Sequence, residues 1–372
     1  MSLENLFMAR KIFISATGQD CGKTTTSLSL LYQARKKYSR IGFIKPIGPK
    51  PIDFLGRRID TDPAMIAKVF GLEHLIDFMC PVVVEPGMTH QMIEGKISVA
   101  ELEGRILQAV ERLEQECDFL VIEGAGHSGV GSVFGLSNAR VAALLGAPVL
   151  MVTGGGLGSV IDSVCMNLAL YRECGAEVRL LVANKLIPEK RDKTMHHLRL
   201  AFKDAGLGVI GGFNYQPVLA NPTLKRVAHV LGIPVNGNAA DLMRIVHHVQ
   251  IGAASTQRVV DMLEEDTLLI VTSSRDELLV TLSNLYAHPE YRAQIAGLVI
   301  PGVVPISKIT QQILDSSGLP YLRTTMRTDS VFLAIHEDVS KLTPEDAEKI
   351  VLIHKLAEKR FDFDYIDRLF SE

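Results

Sequence analysis

Lys11-Ile12-Phe13-Ile14-Ser15-Ala16-Thr17-Gly18-Gln19-Asp20-Cys21-Gly22-Lys23-Thr24-Thr25 decides how this chain is read. An apolar run enters a small turn, the turn closes on Gly22-Lys23-Thr24, and a helix-forming segment follows. A strand feeding a helix through such a turn is the build of a phosphate-binding loop. Backbone N–H groups wrap phosphate oxygens, a lysine supplies positive charge, and the next hydroxyl can ligate Mg²⁺. The strict pattern has glycine where this chain has Thr17, and Gly18 arrives one place late. Thr17, Gly18, Gln19, Asp20, Cys21, Gly22, Lys23, Thr24 and Thr25 are the expected nucleotide contacts, with Thr24 as the metal's hydroxyl.

Outward from the loop, apolar strand candidates alternate with helix-period segments. The strands are expected at 12–15, 41–45, 119–122, 149–152, 178–183 and 209–212, and the helices at 24–37, 99–116 and 160–174. Such alternation predicts an α/β fold with a doubly wound, mostly parallel sheet, whose ligands bind at the carboxyl ends of the strands. Polar residues stand at those ends: Lys45 after Phe43-Ile44, Glu123 after Val121-Ile122, and Asn184 after Leu180–Ala183. Glycines and Pro217 break the pattern around 211–222, and a smaller α/β region restarts. Its helices are expected near 223–231, 275–285 and 307–316, and its strands at 268–272, 297–300 and 321–323. The expected organisation is a leader over 1–8, a nucleotide-binding domain over 9–212, a second domain over 213–328 and a helical tail over 329–372.

With 372 residues the chain is long enough for two domains that each bury a core. An apolar fraction of 47% with 22% charged residues is that of a folded globular protein. A formal net charge of -3 argues against a general nucleic-acid binder. No stretch approaches the ~20 apolar residues of a membrane span, and acidic Glu4 early in the chain does not suit a secretory signal. The odd set Cys21, Cys80, Cys117, Cys165 and Cys174 has no ligand spacing, so the thiols are expected to be reduced and the protein cytoplasmic.

A triphosphate held by Lys23 calls for Mg²⁺, which takes a hydroxyl, one or two carboxylates, phosphate oxygens and water. Glu123, between a strand and the small residues Gly124-Ala125-Gly126, is the first carboxylate candidate, and Asp62 is the second. Asp62 equally suits a helix N-cap before Pro63. Lys45 is placed to stabilise a transferred phosphoryl group or an anionic substrate, so Lys23 and Lys45 are the catalytic candidates. The pairs His196-His197 and His247-His248 point to different sides of a helix and do not suit chelation. His127 is read as a loop histidine facing solvent, with contact to a substrate as the alternative.

Taken in order, Thr17-Gly18, Gly22-Lys23-Thr24, Lys45-Pro46-Ile47, Thr61-Asp62-Pro63-Ala64, Glu85-Pro86, Val121–Gly126, Leu145–Gly158 and Ala183-Asn184-Lys185 resemble dethiobiotin synthetase. The resemblance runs from Ala9 to Gly212 and extends more distantly to cobyrinic acid a,c-diamide synthase. It implies ATP as ligand, phosphate and substrate binding by Lys23 and Lys45, Mg²⁺ among Thr24, Asp62 and Glu123, and adenine recognition by Asn184. It also implies a homodimer. From Gly211 to Thr328, Leu269–Asp276, Ala296–Gly302 and Thr325 to Thr328 resemble the DRTGG domain in the N-terminal, non-catalytic half of long phosphotransacetylases.

The resemblance leaves three functions open. One is a nucleotide- or metabolite-sensing protein built like that N-terminal half, without phosphotransacetylase activity of its own. Another is an ATP-dependent ligase that phosphorylates a carboxylate or carbamate, which the retained Lys23, Thr24, Lys45 and Glu123 favour. The third is a partitioning-type ATPase, which would carry a signature lysine where this chain has Gly18.

Overall fold

The computed structural model describes residues 9–337, 342–344 and 346–371. The leader expected over 1–8 lies outside the described residues. The chain forms two compact units: one holds the residues up to Tyr215 together with those from Leu342 on, the other the residues in between.

The first unit carries strands β1 (Arg10–Ala16), β2 (Ile41–Ile44), β3 (Ile47–Gly48), β4 (Pro51–Phe54), β5 (Arg57–Asp60), β6 (Val82–Val83), β7 (Phe119–His127), β8 (Val149–Thr153), β9 (Val178–Ala183) and β10 (Gly208–Gly211). Six of them form one sheet in the order β10-β9-β8-β1-β7-β2, with every neighbouring pair parallel. Ile12, Phe13, Ile14 and Ala16 are fully buried, the unbroken apolar run of a strand covered on both faces. Among the covering helices, Val99–Glu116 buries Leu102, Ile106, Ala109, Val110 and Leu113, a stripe at helical spacing. Because β1 lies between β7 and β8, the chain leaves it in opposite directions, and the crevice at its carboxyl end is the switch point of the sheet.

Two of the differences from the sequence expectation lie near the carboxyl ends of these strands. β7 runs to His127 rather than ending at Ile122, and its register with β1 shifts between the pairs Ile14–Glu123 and Ala16–His127. The buried Asn138 carboxamide takes over where the ladder breaks, accepting from the Ala125 amide at 3.2 Å and donating to the carbonyls of Ala125 and His127 at 2.6 Å. The antiparallel hairpin β4–β5 was not expected either. Its turn puts Leu55 at φ 50 and Gly56 at φ 73, the handedness that a tight hairpin needs, but without an Asn-Gly signature.

The second unit has strands β11 (Val235–Asn236), β12 (His248–Ile251), β13 (Thr267–Ile270), β14 (Ile295–Ile300) and β15 (Tyr321–Arg323) in the order β11-β15-β14-β13-β12. Only β11 runs antiparallel to its neighbour. One face packs Leu278, Leu279, Leu282 and Leu314 on the sheet, and the other packs Leu224, Val227, Val331 and Ile335. The helix Thr328–Glu337 is part of this unit's core, so the tail expected as one piece from residue 329 is divided.

The remainder of that tail belongs to the first unit. Helices Ala347–Arg360 and Phe363–Leu369 pack on the helix that follows the loop, α1 (Lys23–Ala34), and on the sheet edge behind it. His354 stacks on Tyr32 with ring centroids 4.0 Å apart, and Phe363 lies 5.7 Å from Phe119. Asp367, with its side chain 4% exposed, pairs with Arg10 at 2.6 Å and Lys37 at 2.8 Å and accepts from the Tyr38 hydroxyl at 2.6 Å. Burial alone would raise the Asp367 carboxyl, but hydrogen bonds from Lys37, Tyr38 and Arg10 outweigh it and hold the group below the usual aspartate range. A carboxyl with a lowered pKa contributes stability above its unfolded value and loses it as pH falls through the folded value. Asp367→Asn is therefore expected to cost about 1–3 kcal/mol at neutral pH in urea unfolding, with the gap to wild type closing below the usual aspartate range. An equal gap at low and neutral pH would refute the charge-pair account.

Candidate nucleotide and metal site

The loop between β1 and α1 is shaped by its own turn and by three side chains from other elements. Asp20 has φ 55 and Gly22 φ 97. The left-handed conformation at Gly22 lets the chain enter α1 without a side-chain cap, leaving the first N–H groups of the helix facing the loop's concavity. A Cβ at Gly22 would run into the Asn184 side chain. Asn184, 3% exposed just after β9, donates to the Cys21 carbonyl at 3.0 Å and accepts from the Phe213 amide at 2.9 Å. Asn167, on the helix Gly158–Cys174, accepts from the Ser128 amide at 2.9 Å and donates to the Thr17 carbonyl at 3.4 Å. Thr17 meets Thr153, at the end of β8, hydroxyl to hydroxyl at 3.0 Å. Gln19 and Asp20 are exposed at the loop's crest.

Behind the loop lies a buried charge cluster. Glu123, 1% exposed, accepts from the Thr24 hydroxyl at 2.9 Å and from the Ser27 hydroxyl at 2.6 Å. Lys45, immediately after β2, donates to Asp60 at 2.8 Å and to Asp62. Asp60 ends β5 and caps the helix α2 (Thr61–Phe70), accepting from the Asp62 amide at 3.0 Å. The cap of this helix is thus Asp60, and Asp62 sits in the first turn with its carboxylate on Lys45.

The protonation equilibria reflect this crowding. Burial pushes Glu123 above the usual carboxylate range and the negative charge of Asp62 adds to it, while Lys45, the Ser27 hydroxyl and Lys23 pull the other way. Burial lowers Lys23, offset in part by Glu123. Lys45 would also be lowered by burial, but the carboxylates of Asp62, Asp60 and Glu123 raise it well above an ordinary lysine.

Lys23, Thr24, Lys45, Asp62 and Glu123 therefore come together, and Asn184 reaches the same loop through Cys21. Sequence reasoning missed Asp60, Ser27, Asn138 and Asn167. Asp60-Thr61-Asp62 was the visible signal for the first; nothing in the spacing marks the others. His127 is exposed at the end of β7, its Nδ1 accepting from the Gly129 amide at 3.2 Å. Among the described residues no group of three or more His, Cys, Asp and Glu side chains forms a self-sufficient metal cluster. The oxygen-only set of Thr24, Glu123 and Asp62 fits a hard cation that brings phosphate oxygens and waters of its own, as Mg²⁺ does. Among the described residues no helix is long and apolar enough to cross a membrane.

A family described as AAA domain matches residues 10–223, and one described as DRTGG domain matches residues 227–337. A phosphate acetyltransferase from Nitratidesulfovibrio vulgaris is 23% identical over 373 residues, covering 95% of this chain and 51% of that protein. An ATP-dependent dethiobiotin synthetase BioD from Caulobacter sp. is 30% identical over 188 residues, 49% of this chain and 76% of that protein. A cobyric acid synthase from Pelotomaculum thermopropionicum is 29% identical over 238 residues, 58% of this chain and 45% of that protein. The chain spans about half the length of the phosphate acetyltransferases it matches over nearly all of its own length.

Two outcomes follow from the geometry. Gly22→Ala combines a strained φ with a collision at Asn184, so it is expected to lower the melting temperature and distort the loop. An unchanged melting temperature and unchanged amide chemical shifts for Cys21 and Gly22's neighbours would contradict this. A carboxyl with a raised folded pKa contributes stability below its unfolded value and loses it as pH rises through the folded one. Glu123→Gln, always neutral, is therefore expected to melt no lower than wild type near neutral pH without nucleotide. A clear drop there would mean that the ionised carboxylate stabilises the empty fold.

Proposed function

Since the chain belongs to the AAA-domain family through residues 10–223 and carries a DRTGG domain over residues 227–337, we propose that it binds ATP with Mg²⁺ and serves as a nucleotide- or metabolite-sensing protein. One observation carries the nucleotide half of this reading. Thr24, on the loop helix, and Glu123, within β7, meet at hydrogen-bond distance beside Lys23, so oxygen ligands and a phosphate cradle share one crevice at the switch point. The backbone N–H groups of Gly18 to Thr24 and the Lys23 ammonium would hold the phosphates. Thr24, Glu123 and Asp62 would hold Mg²⁺, which when bound neutralises charge between the phosphates. Asn184 positions the loop through Cys21, and each end of its carboxamide keeps one further hydrogen-bonding site for a base.

The sensing half is supported by extent. The likeness to phosphate acetyltransferase runs through both domains, over 95% of this chain, whereas the likeness to dethiobiotin synthetases reaches 60% of it. The ligase reading draws on the second likeness and on the presence of Lys45. Against it stands the engagement of that lysine by Asp60 and Asp62.

Calorimetry with Mg²⁺ and ATP is expected to show saturable binding that Lys23→Ala weakens by about 10- to 100-fold or more. No binding of ATP or ADP at millimolar nucleotide, or an unchanged affinity in Lys23→Ala, would remove the loop from the mechanism. Phosphate release is expected to be slow and indifferent to added carboxylates or diamines. Turnover that depends on one of them would replace sensing with ligation.

A further inference from the structure

We propose that Asp60 is a specificity-determining residue: by holding the Lys45 ammonium in an ion pair, it closes the acceptor side of the site to anionic second substrates. The inference rests on the nucleotide-binding reading above and names what that site refuses. A lysine that steadies a transferred phosphoryl group or a carboxylate acceptor must have its charge available to the newcomer. The charge of Lys45 is already matched. Its side chain is 4% exposed, and two of its three N–H donors go to Asp60 and Asp62, with Glu123 adding further negative charge.

Asp60 is built so that it does not let go. It is fully buried, and both of its oxygens are engaged. Oδ1 accepts from Lys45 at 2.8 Å and from the Asp62 amide at 3.0 Å, while Oδ2 accepts from the Lys50 amide at 2.8 Å. One carboxylate thereby pins the start of α2, the entry to the β4–β5 hairpin and the lysine. The wall behind it is closed, since a Cβ on Gly48 would lie 2.5 Å from the Asp60 Cβ and 2.6 Å from the Cys80 Sγ. From the other side, the Lys45 backbone amide is held by the Met79 carbonyl at 2.9 Å. An anion approaching Lys45 would meet a cation already paired with Asp60 and would have to break that buried pair to gain contact. Lys23 is left as the cation for the nucleotide's own phosphates, and the far side of the cluster suits a cation better than an acid.

The test uses the full chain loaded with Mg²⁺ and a non-hydrolysable ATP analogue, so that the phosphate positions are filled, and titrates sulfate and glutarate by calorimetry. Wild type is expected to show no saturable binding at millimolar probe, and Asp60→Asn, which removes one of the lysine's two carboxylate partners, to gain at least about tenfold in affinity. Saturable binding to wild type that Asp60→Asn does not strengthen would overturn the proposal, as would a folded Asp60→Asn that gains nothing. If Asp60→Asn does not fold, wild type decides through the ¹⁵N ammonium signal of Lys45, assigned by its loss in Lys45→Arg. A slowly exchanging signal that sulfate leaves unmoved supports the lock, and one that shifts or vanishes on sulfate addition refutes it. Failure of the ATP analogue to bind overturns the nucleotide reading instead. The same spectrum, recorded on nucleotide-free protein, still settles the state of Lys45.

Discussion

Everything around this site depends on a buried balance of charge. Glu123, Asp60 and Asp62 are removed from water within one crevice, and Lys45 and Lys23 are the cations nearby. Carboxylates out of water are costly unless each finds a cation or good donors, so the surrounding backbone is arranged to supply them. The start of α2 and Lys50, the residue before the β4–β5 hairpin, turn their N–H groups to Asp60. Thr24 and Ser27, one turn apart on α1, turn their hydroxyls to Glu123. The cluster remains short of positive charge, which is why burial and Asp62 together raise Glu123. A divalent cation with a nucleotide would relieve that shortage.

The loop in front of the cluster is held with comparable care. Asn184 from the end of β9 and Asn167 from the helix Gly158–Cys174 each spend an amide on a loop carbonyl, at Cys21 and Thr17. Gly22 lies against Asn184 so closely that no side chain fits between them. Behind, α1 is clasped by the C-terminal helices through His354 on Tyr32 and through Asp367 with Lys37 and Tyr38. A cradle fixed from both sides gives up little further conformational freedom when an anion enters, the condition under which backbone N–H groups bind phosphate well.

How much of this could be read in advance varied by element. The parallel strands and their covering helices were visible because a doubly covered strand is apolar throughout and an amphipathic helix repeats its stripe. The segment Val99–Glu116 and the strand Val178–Ala183 were bounded to the residue. The hairpin β4–β5 was not visible: it is short and half-exposed, and its left-handed turn uses Leu55, which carries no turn signature. β12 escaped for a related reason, as an edge strand with His248 and Ile251 exposed. Within the site, Lys23, Thr24 and Glu123 stood out because their chemistry follows from position on a strand–loop–helix. Asn138 and Asn167 did not, since a carboxamide that repairs a broken ladder or ties a loop has no spacing of its own.

The sequence by itself determined the class of fold, the loop that would hold phosphate and the order in which its polar companions arrive, because each depends on short-range pattern: period, turn and strand end. Only the tertiary structure decided what those companions are free to do. Lys45 reads as an available cation until β5 and α2 bring Asp60 and Asp62 against it, and Asp62 reads as a metal ligand or a helix cap until Asp60 takes the cap. The tail reads as one appendage until its first helix joins the second unit's core and the rest closes behind the loop helix. Charge pairing and burial are set by neighbours distant in sequence, so the same side chain can be a reactive group or a counter-ion, and the local pattern is identical in both cases.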